Sequence, residues 1–226
     1  MTQSAPITID VPGSRNVSGL LTQPAAPAAA FVFAHGAGAG MTHRFMEAVA
    51  AGLAGRRIAT LRYQFPYMER GSKRPDSPAI AHATVRAAVA AASAMMPGVA
   101  LLAGGKSFGG RMTSQAQAAA PLPDVRGLCF FGFPLHPAGK PAADRGAHLA
   151  AINIPMLFLQ GTKDALADVA LIEPLIASLQ RATLHLVADA DHSFHVPKRS
   201  GRNDAQVMDD ILDTMADWTA RIADKD

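Results

Sequence analysis

The sequence has one cysteine, few charges and no strong excess of either sign, and each scarcity narrows what the chain can be. Cys129 is the only cysteine among 226 residues, so it has no intramolecular disulfide partner and no cysteine-rich zinc cluster can form. It lies in the apolar run Leu128-Cys129-Phe130-Phe131, which reads as a buried, inert thiol. Charged residues are 17% of the chain against 49% hydrophobic ones. With no long polar tract, the composition suits a soluble globular protein whose apolar burial offsets the ordering entropy. The net charge is +3 and the pI near 9.3, but the basic residues are scattered apart from Lys198, Arg199 and Arg202. That stretch reads as a surface loop, and no nucleic-acid partner is expected.

Long hydrophobic runs are also missing. The uncharged stretch Ala87 to Gly105 is broken by Pro97-Gly98 and begins mostly in alanine, so it reads as helix, turn and strand, and no membrane partner is expected. Met1 to Asp10 has neither a basic start nor an apolar h-region, from which a cytoplasmic location is expected. No repeat or linker is visible, and one domain over 1–226 is the expected organisation.

What is present is an alternation of short apolar runs with amphipathic segments, the pattern of a mostly parallel sheet flanked by helices. Strands are expected near Ile7 to Val11, Val17 to Thr22, Ala30 to His35, Arg57 to Arg62, Ala100 to Gly104, Gly127 to Gly132, Met156 to Gln160 and Thr183 to Val187. That makes about eight, the first two an antiparallel pair around the turn Pro12-Gly13-Ser14. Thr42 is the expected cap of a helix running to Leu53, and Ser77-Pro78 opens another through Ala92. Near Leu171 to Leu179, Pro174 either begins a helix or kinks it. Val207, Ile211, Met215, Trp218 and Ile222 share one face of a final helix.

The chemistry centres on Gly104-Gly105-Lys106-Ser107-Phe108-Gly109-Gly110-Arg111, a G-x-S-x-G match directly after an apolar strand. In a nucleophile elbow the serine occupies a strained strand-to-helix turn, and small residues two before and two after it let the backbones approach. Gly105 and Gly109 meet that need. A phosphate loop is the rival reading, but Ala100 stands where its first glycine is required.

A serine hydroxyl needs a base and an orienting carboxylate, which follow it in chain order in this kind of site. Asp164 follows the strand ending at Gln160-Gly161, and His192 lies in the turn-rich Ala190-Asp191-His192-Ser193-Phe194. Asp168 and His195 are the competitors. Phe31 to Gly40 is another strand ending in a glycine-rich loop, so Ala37 and Phe108 are the expected backbone donors of an oxyanion hole. His35, His43, His82, His148 and His185 read as structural or surface residues. No H-E-x-x-H, no dense histidine and carboxylate cluster and no well-placed G-x-G-x-x-G occurs, so no metal and no cofactor are expected.

With these residues in place, the chain resembles the α/β-hydrolase superfamily, and more narrowly a branch related to dienelactone hydrolases that includes the testis-expressed-thirty-like proteins. The resemblance runs through Ala34-His35-Gly36-Ala37-Gly38, Arg62-Tyr63-Gln64-Phe65-Pro66-Tyr67, the serine segment, Gly132-Phe133-Pro134-Leu135-His136-Pro137 and Gln160-Gly161-Thr162-Lys163-Asp164. It implies an α/β-hydrolase fold, supports the roles of Ser107, Asp164 and His192, and implies that Arg62, Lys106 and His136 lie near the site. Serine stands where typical dienelactone hydrolases carry cysteine.

The expected function is a serine hydrolase acting on a small carboxylic ester or related acyl compound through an acyl-enzyme, with a small acyl molecule as partner. The alternative is an interaction protein on the same fold with little turnover, since the branch also includes a chromatin-complex subunit. Only about a dozen residues, Pro134 to Arg145, follow the strand after which caps commonly enter. A minimal cap or none is expected, leaving an open site.

Overall fold

A computed structural model describes residues 3–223. The first two and last three residues, which the N-terminal reading and the 1–226 domain range include, lie outside the described part. The elements in chain order are strands β1 (Ser4–Ile9), β2 (Val17–Thr22) and β3 (Ala29–Ala34), helix α1 (Arg44–Gly55), strand β4 (Ile58–Tyr63), and helices α2 (Pro66–Glu69) and α3 (Pro78–Met95). Strand β5 (Ala100–Lys106), helix α4 (Phe108–Ala119) and strand β6 (Val125–Phe131) follow, then a 3-10 helix over Asp144–Ala151. Strand β7 (Met156–Gly161), helix α5 (Val169–Ala177), strand β8 (Ala182–Val187), a one-turn 3-10 helix over Lys198–Ser200 and helix α6 (Asp204–Ala223) are the last of the described elements.

The eight strands form one sheet in the order β1-β2-β4-β3-β5-β6-β7-β8. Strand β2 runs against both neighbours, and the remaining pairs are parallel. Because side chains alternate along a strand, the central strands feed two cores. Ala30, Val32, Leu101, Ala103, Leu128, Phe130 and Phe158 face one side with residues of α3, α4 and α5. Phe31, Phe33, Leu102, Cys129, Phe131, Leu157 and Leu159 face the other, under α1 and α6. Residues buried on both faces explain why these strands read as continuous apolar runs. Cys129 is fully buried, and burial raises its thiol pKa well above the ordinary value.

Several boundaries differ from the sequence reading. β1 lies earlier, pairing Ser4 with Thr22 through Ile9 with Val17, because Val11 already accepts the turn bond from the Ser14 amide. His43, not Thr42, caps α1, its Nδ1 accepting from the Phe45 amide at 3.2 Å. Pro78 starts α3 as expected, although the Ser77 side chain makes no capping bond. α5 begins well before Pro174, because Asp168 caps it by accepting from the Ala170 amide at 2.9 Å. Val207, Ile211, Met215 and Trp218 are buried along α6, with Ile222 packed beside them.

Between β6 and β7 the chain builds only the 3-10 helix, so no helical lid enters there. Among the described residues, no helix is long and apolar enough to cross a membrane.

Candidate active site

The site forms where parallel strands deliver their C-terminal ends to one edge of the sheet, the usual ligand-binding position in open α/β sheets. β5 ends at Lys106 and α4 begins at Phe108, leaving Ser107 alone in the turn with φ 51° and ψ −117°. A non-glycine residue held there is strained. The strain is over-determined by its neighbours: a Cβ at Gly105 would stand 2.5 Å from the Ala34 carbonyl oxygen, and one at Gly109 would stand 2.5 Å from the same atom. Neither position admits a side chain while β3 and α4 stay this close.

Two loops bring the partners. His192, beyond β8, places Nε2 2.9 Å from Ser107 Oγ and Nδ1 2.7 Å from Asp164 Oδ2. The geometry fixes the tautomer: a carboxylate only accepts, so Nδ1 donates to Asp164 and Nε2 accepts from the serine hydroxyl. Asp164, in the loop after β7, has no exposed side-chain surface, whereas His192 keeps 26% of its own. Besides the imidazole, the Asp164 carboxylate accepts from Gln160 Nε2 at 2.5 Å and from the Leu166 amide at 2.8 Å.

The competitors are engaged elsewhere. Asp168 caps α5, and the exposed His195 pairs with Asp204 at 2.9 Å, which raises the imidazole's pKa through that hydrogen bond.

The Gly36 to Gly40 loop leaves β3 beside the serine turn. A Cβ on Gly36 would sit 3.8 Å from the Ser107 Cβ. His35 anchors the loop from beneath: Nδ1 donates to the Gly36 carbonyl at 2.8 Å, and Nε2 accepts from the Phe65 amide at 3.1 Å. Burial lowers its pKa to about 4 against the opposing pull of the Gly36 bond, so it is neutral at pH 7. The Tyr67 hydroxyl accepts from the Gly38 amide at 3.1 Å, and Gln64 Oε1 accepts from the Met41 amide at 2.9 Å. Among the described residues, neither the Ala37 nor the Phe108 amide has a hydrogen-bond partner.

Arg62, Lys106 and His136 have different duties. Arg62 is buried and donates to the Met41 carbonyl and to Ser4 Oγ, at 3.2 and 3.1 Å, tying the loop after β3 to the sheet edge. Burial lowers its pKa, partly offset by Glu47. His136 Nδ1 donates to the Pro137 carbonyl at 2.9 Å, while Nε2 accepts from the Asp168 amide at 2.8 Å. It thus braces the segment that carries Asp164. Lys106 Nζ donates to the backbone carbonyl of His192.

Phe65 and Tyr67 pack around Phe108, whereas Phe194 stacks on Phe45. These are separate aromatic groups, and all but Phe45 and Phe108 are buried.

Sequence reasoning missed Gln160 and Tyr67 as supports of the site, although both lie within segments it singled out. A polar residue at the end of a buried strand was the available signal for Gln160.

Residues 27–220 match the family described as Alpha/beta hydrolase domain. The chain belongs to that family. Solved structures agree with the fold. A serine hydrolase without lid from Xanthomonas campestris superposes with a TM-score of 0.76 at 21% identity, covering 96% of this chain and 96% of that one. Dienelactone hydrolase from Anabaena variabilis gives 0.79 at 19% identity, covering 97% and 98%. The esterase domain of a Rhodothermus marinus protein gives 0.72 at 17%, covering 98% and 99%. For this family member, Ser107, His192, Asp164 and the two free amides mark the candidate active site.

Proposed function

We propose that the protein is a serine hydrolase that cleaves small carboxylic esters or related acyl compounds through an acyl-enzyme intermediate. The observation that carries this reading is the unbroken chain from Ser107 Oγ to His192 at 2.9 Å and from His192 to Asp164 at 2.7 Å. Similarity to an esterase domain and to a dienelactone hydrolase lends support at the level of the fold.

In the first half-reaction Ser107 Oγ bonds to the substrate's carbonyl carbon while its proton passes to His192 Nε2. The carbonyl electron pair moves onto oxygen, where the Ala37 and Phe108 amides donate to the developing charge. Each such donor is worth about 2.7–4 kcal/mol in related chemistry. The tetrahedral adduct collapses by breaking the bond to the leaving alcohol, which takes the proton from Nε2. Water then repeats the sequence on the acyl-enzyme, giving the carboxylic acid and free Ser107. Asp164 keeps the imidazole oriented and stabilises its transient positive charge.

Hydrolysis of p-nitrophenyl acetate by the parent and by Ser107→Ala tests the reading. The parent should turn over, and the variant should fall by at least about 1,000-fold. A folded parent with no turnover on an ester panel would favour the interaction-protein alternative, and a Ser107→Ala variant at the parent rate would remove Ser107 as nucleophile.

A further inference from the structure

The residue directly before the nucleophile reaches across to the residue that serves it. Lys106 ends β5, and its ammonium donates to the His192 carbonyl 86 residues away. Nζ also lies 5.6 Å from the centroid of the Phe45 ring and 5.4 Å from that of Phe194, two rings that stack at 5.9 Å. Gly132 completes the enclosure: a Cβ there would stand 2.8 Å from Lys106 Nζ and 3.3 Å from His192 Cε1 and Nδ1. The ammonium and the imidazole therefore share one glycine floor.

The His192 loop is held at its ends by bonds to its flanks, where the Lys163 amide donates to the Ala190 carbonyl at 2.8 Å and Asp204 accepts from the Val196 amide at 3.0 Å and pairs with His195, and is shaped between them by internal bonds. The Asp191 amide donates to His195, the Phe194 amide to Asp191, and Asp191 Oδ1 accepts from the Ser193 and His195 amides. These internal bonds shape the turn. The Lys106 bond ties the His192 backbone itself to the serine turn, because Lys106 is joined by one peptide bond to Ser107. Serine, lysine and histidine thus form a closed ring of contacts, covalent on one side and hydrogen-bonded on the other two.

We propose that Lys106 is a positioning residue whose ammonium, clamped to the His192 carbonyl, holds the imidazole at reacting distance from Ser107. This rests on the serine-hydrolase reading. Packing alone is a poor reason for a cation here, since Lys106 forms no ion pair among the described residues. A half-buried charge without such a partner adds less to folding than an apolar residue of similar shape.

Burial lowers the Lys106 pKa to about 8, against the opposing attraction of Asp164 and Asp191. These two carboxylates, from the loops after β7 and β8, and the His192 imidazole are the ionisable groups that face it. α1 presents the Phe45 ring and β6 ends next to Gly132. Below about pH 8 the amine is charged, and both the bond to the carbonyl and the attraction to the ring faces are at full strength. Above it the neutral amine holds the loop less firmly.

The test is kcat, KM, Tm and fluorophosphonate labelling of the parent, Lys106→Met and Lys106→Arg, from pH 6 to 10. The parent should show kcat falling above pH 8 while its circular dichroism stays unchanged. Lys106→Met should lose about 10- to 100-fold in kcat at pH 7, with KM within about twofold, because a misplaced base slows chemistry more than binding. It should also lack the alkaline fall and keep or raise its Tm, an outcome a merely structural lysine would not give. Lys106→Arg, charged throughout the range, should move the alkaline fall upward wherever its Tm shows an intact fold.

Parent-like kcat in Lys106→Met, or an unchanged alkaline fall, would overturn the proposal, as would a loss of kcat matched by a fall in Tm. If the parent serine is not labelled at all, the serine-hydrolase reading itself fails. A labelled parent with an indifferent Lys106→Met removes only the positioning role.

Discussion

Gln160 and Asp164 are joined directly, Nε2 to Oδ2 at 2.5 Å, on the same carboxylate oxygen that receives His192 Nδ1. The other end of the Gln160 amide accepts from the Phe133 amide at 2.8 Å. One fully buried side chain therefore links the end of β7, the loop after β6 and the orienting carboxylate.

Gln160→Leu should damage both stability and catalysis. It leaves the Phe133 amide unpaired in a buried place and removes a donor from Asp164, at a cost of about 1–3 kcal/mol. Thermal melting should show a Tm lower by several degrees, and kcat should fall more than KM rises, because the carboxylate is free to turn away from the imidazole. An unchanged kcat with a lowered Tm would show that Gln160 supports only the fold.

Acid should destabilise the protein through the buried neutral His35 and the half-buried neutral His148. Burial lowers His35 to about 4, and His148 falls to about 4 through burial and the nearby Arg111 and His82. An unfolded histidine titrates near about 6.5, so between those values the unfolded chain binds more protons than the folded one, and stability drops as pH falls. The fully buried His35 contributes on the order of 3 kcal/mol across the window, and the half-buried His148 less. Melting from pH 7 to 4 should show Tm falling below about pH 6.5. His35→Gln should be less stable at pH 7 yet show a shallower fall. Equal slopes would remove His35 as a source of the acid sensitivity.

The missing lid bears on substrate size. With only the 3-10 helix over Asp144–Ala151 between β6 and β7, little apolar wall is available to enclose a long acyl chain. Each methylene left in water forgoes about 0.8 kcal/mol. Phe65, Tyr67 and Phe194 do not supply a common groove, since they are buried in two separate aromatic groups. p-Nitrophenyl acetate or butyrate should give a higher kcat/KM than the palmitate ester, with no rise on adding an emulsion. The highest value on palmitate with an interfacial jump would contradict the open-site account.

Much of this fold and site was legible in the sequence because the constraints were local. A strand buried on both faces must be an apolar run, as in Phe31 and Val32 or Leu157 and Phe158. An elbow needs small residues at positions 105 and 109, and both glycines lie just two residues from the serine in sequence. What stayed hidden depends on where distant side chains meet. Tyr67 supports Gly38 from 29 residues away, and Lys106 reaches His192 across 86. Neither pairing has a periodicity or spacing that would reveal it. Arg62 and His136 stand in segments the sequence singles out, but their engagement by backbone groups follows only from the loop paths. The cap of α1 shifted from Thr42 to His43 for a similarly local reason, since either side chain can accept from a first-turn amide and only the backbone path decides between them.

The central claim, that His192 and Asp164 activate Ser107, is tested most directly by the site and rate of covalent labelling. The protein should be treated with a fluorophosphonate at pH 7.5 and mapped by peptide mass spectrometry, alongside Ser107→Ala and His192→Ala. The account predicts a single adduct on Ser107 in the parent, none in Ser107→Ala, and labelling slowed by at least about 100-fold in His192→Ala. An adduct on another residue, or parent-rate labelling of Ser107 without His192, would contradict it.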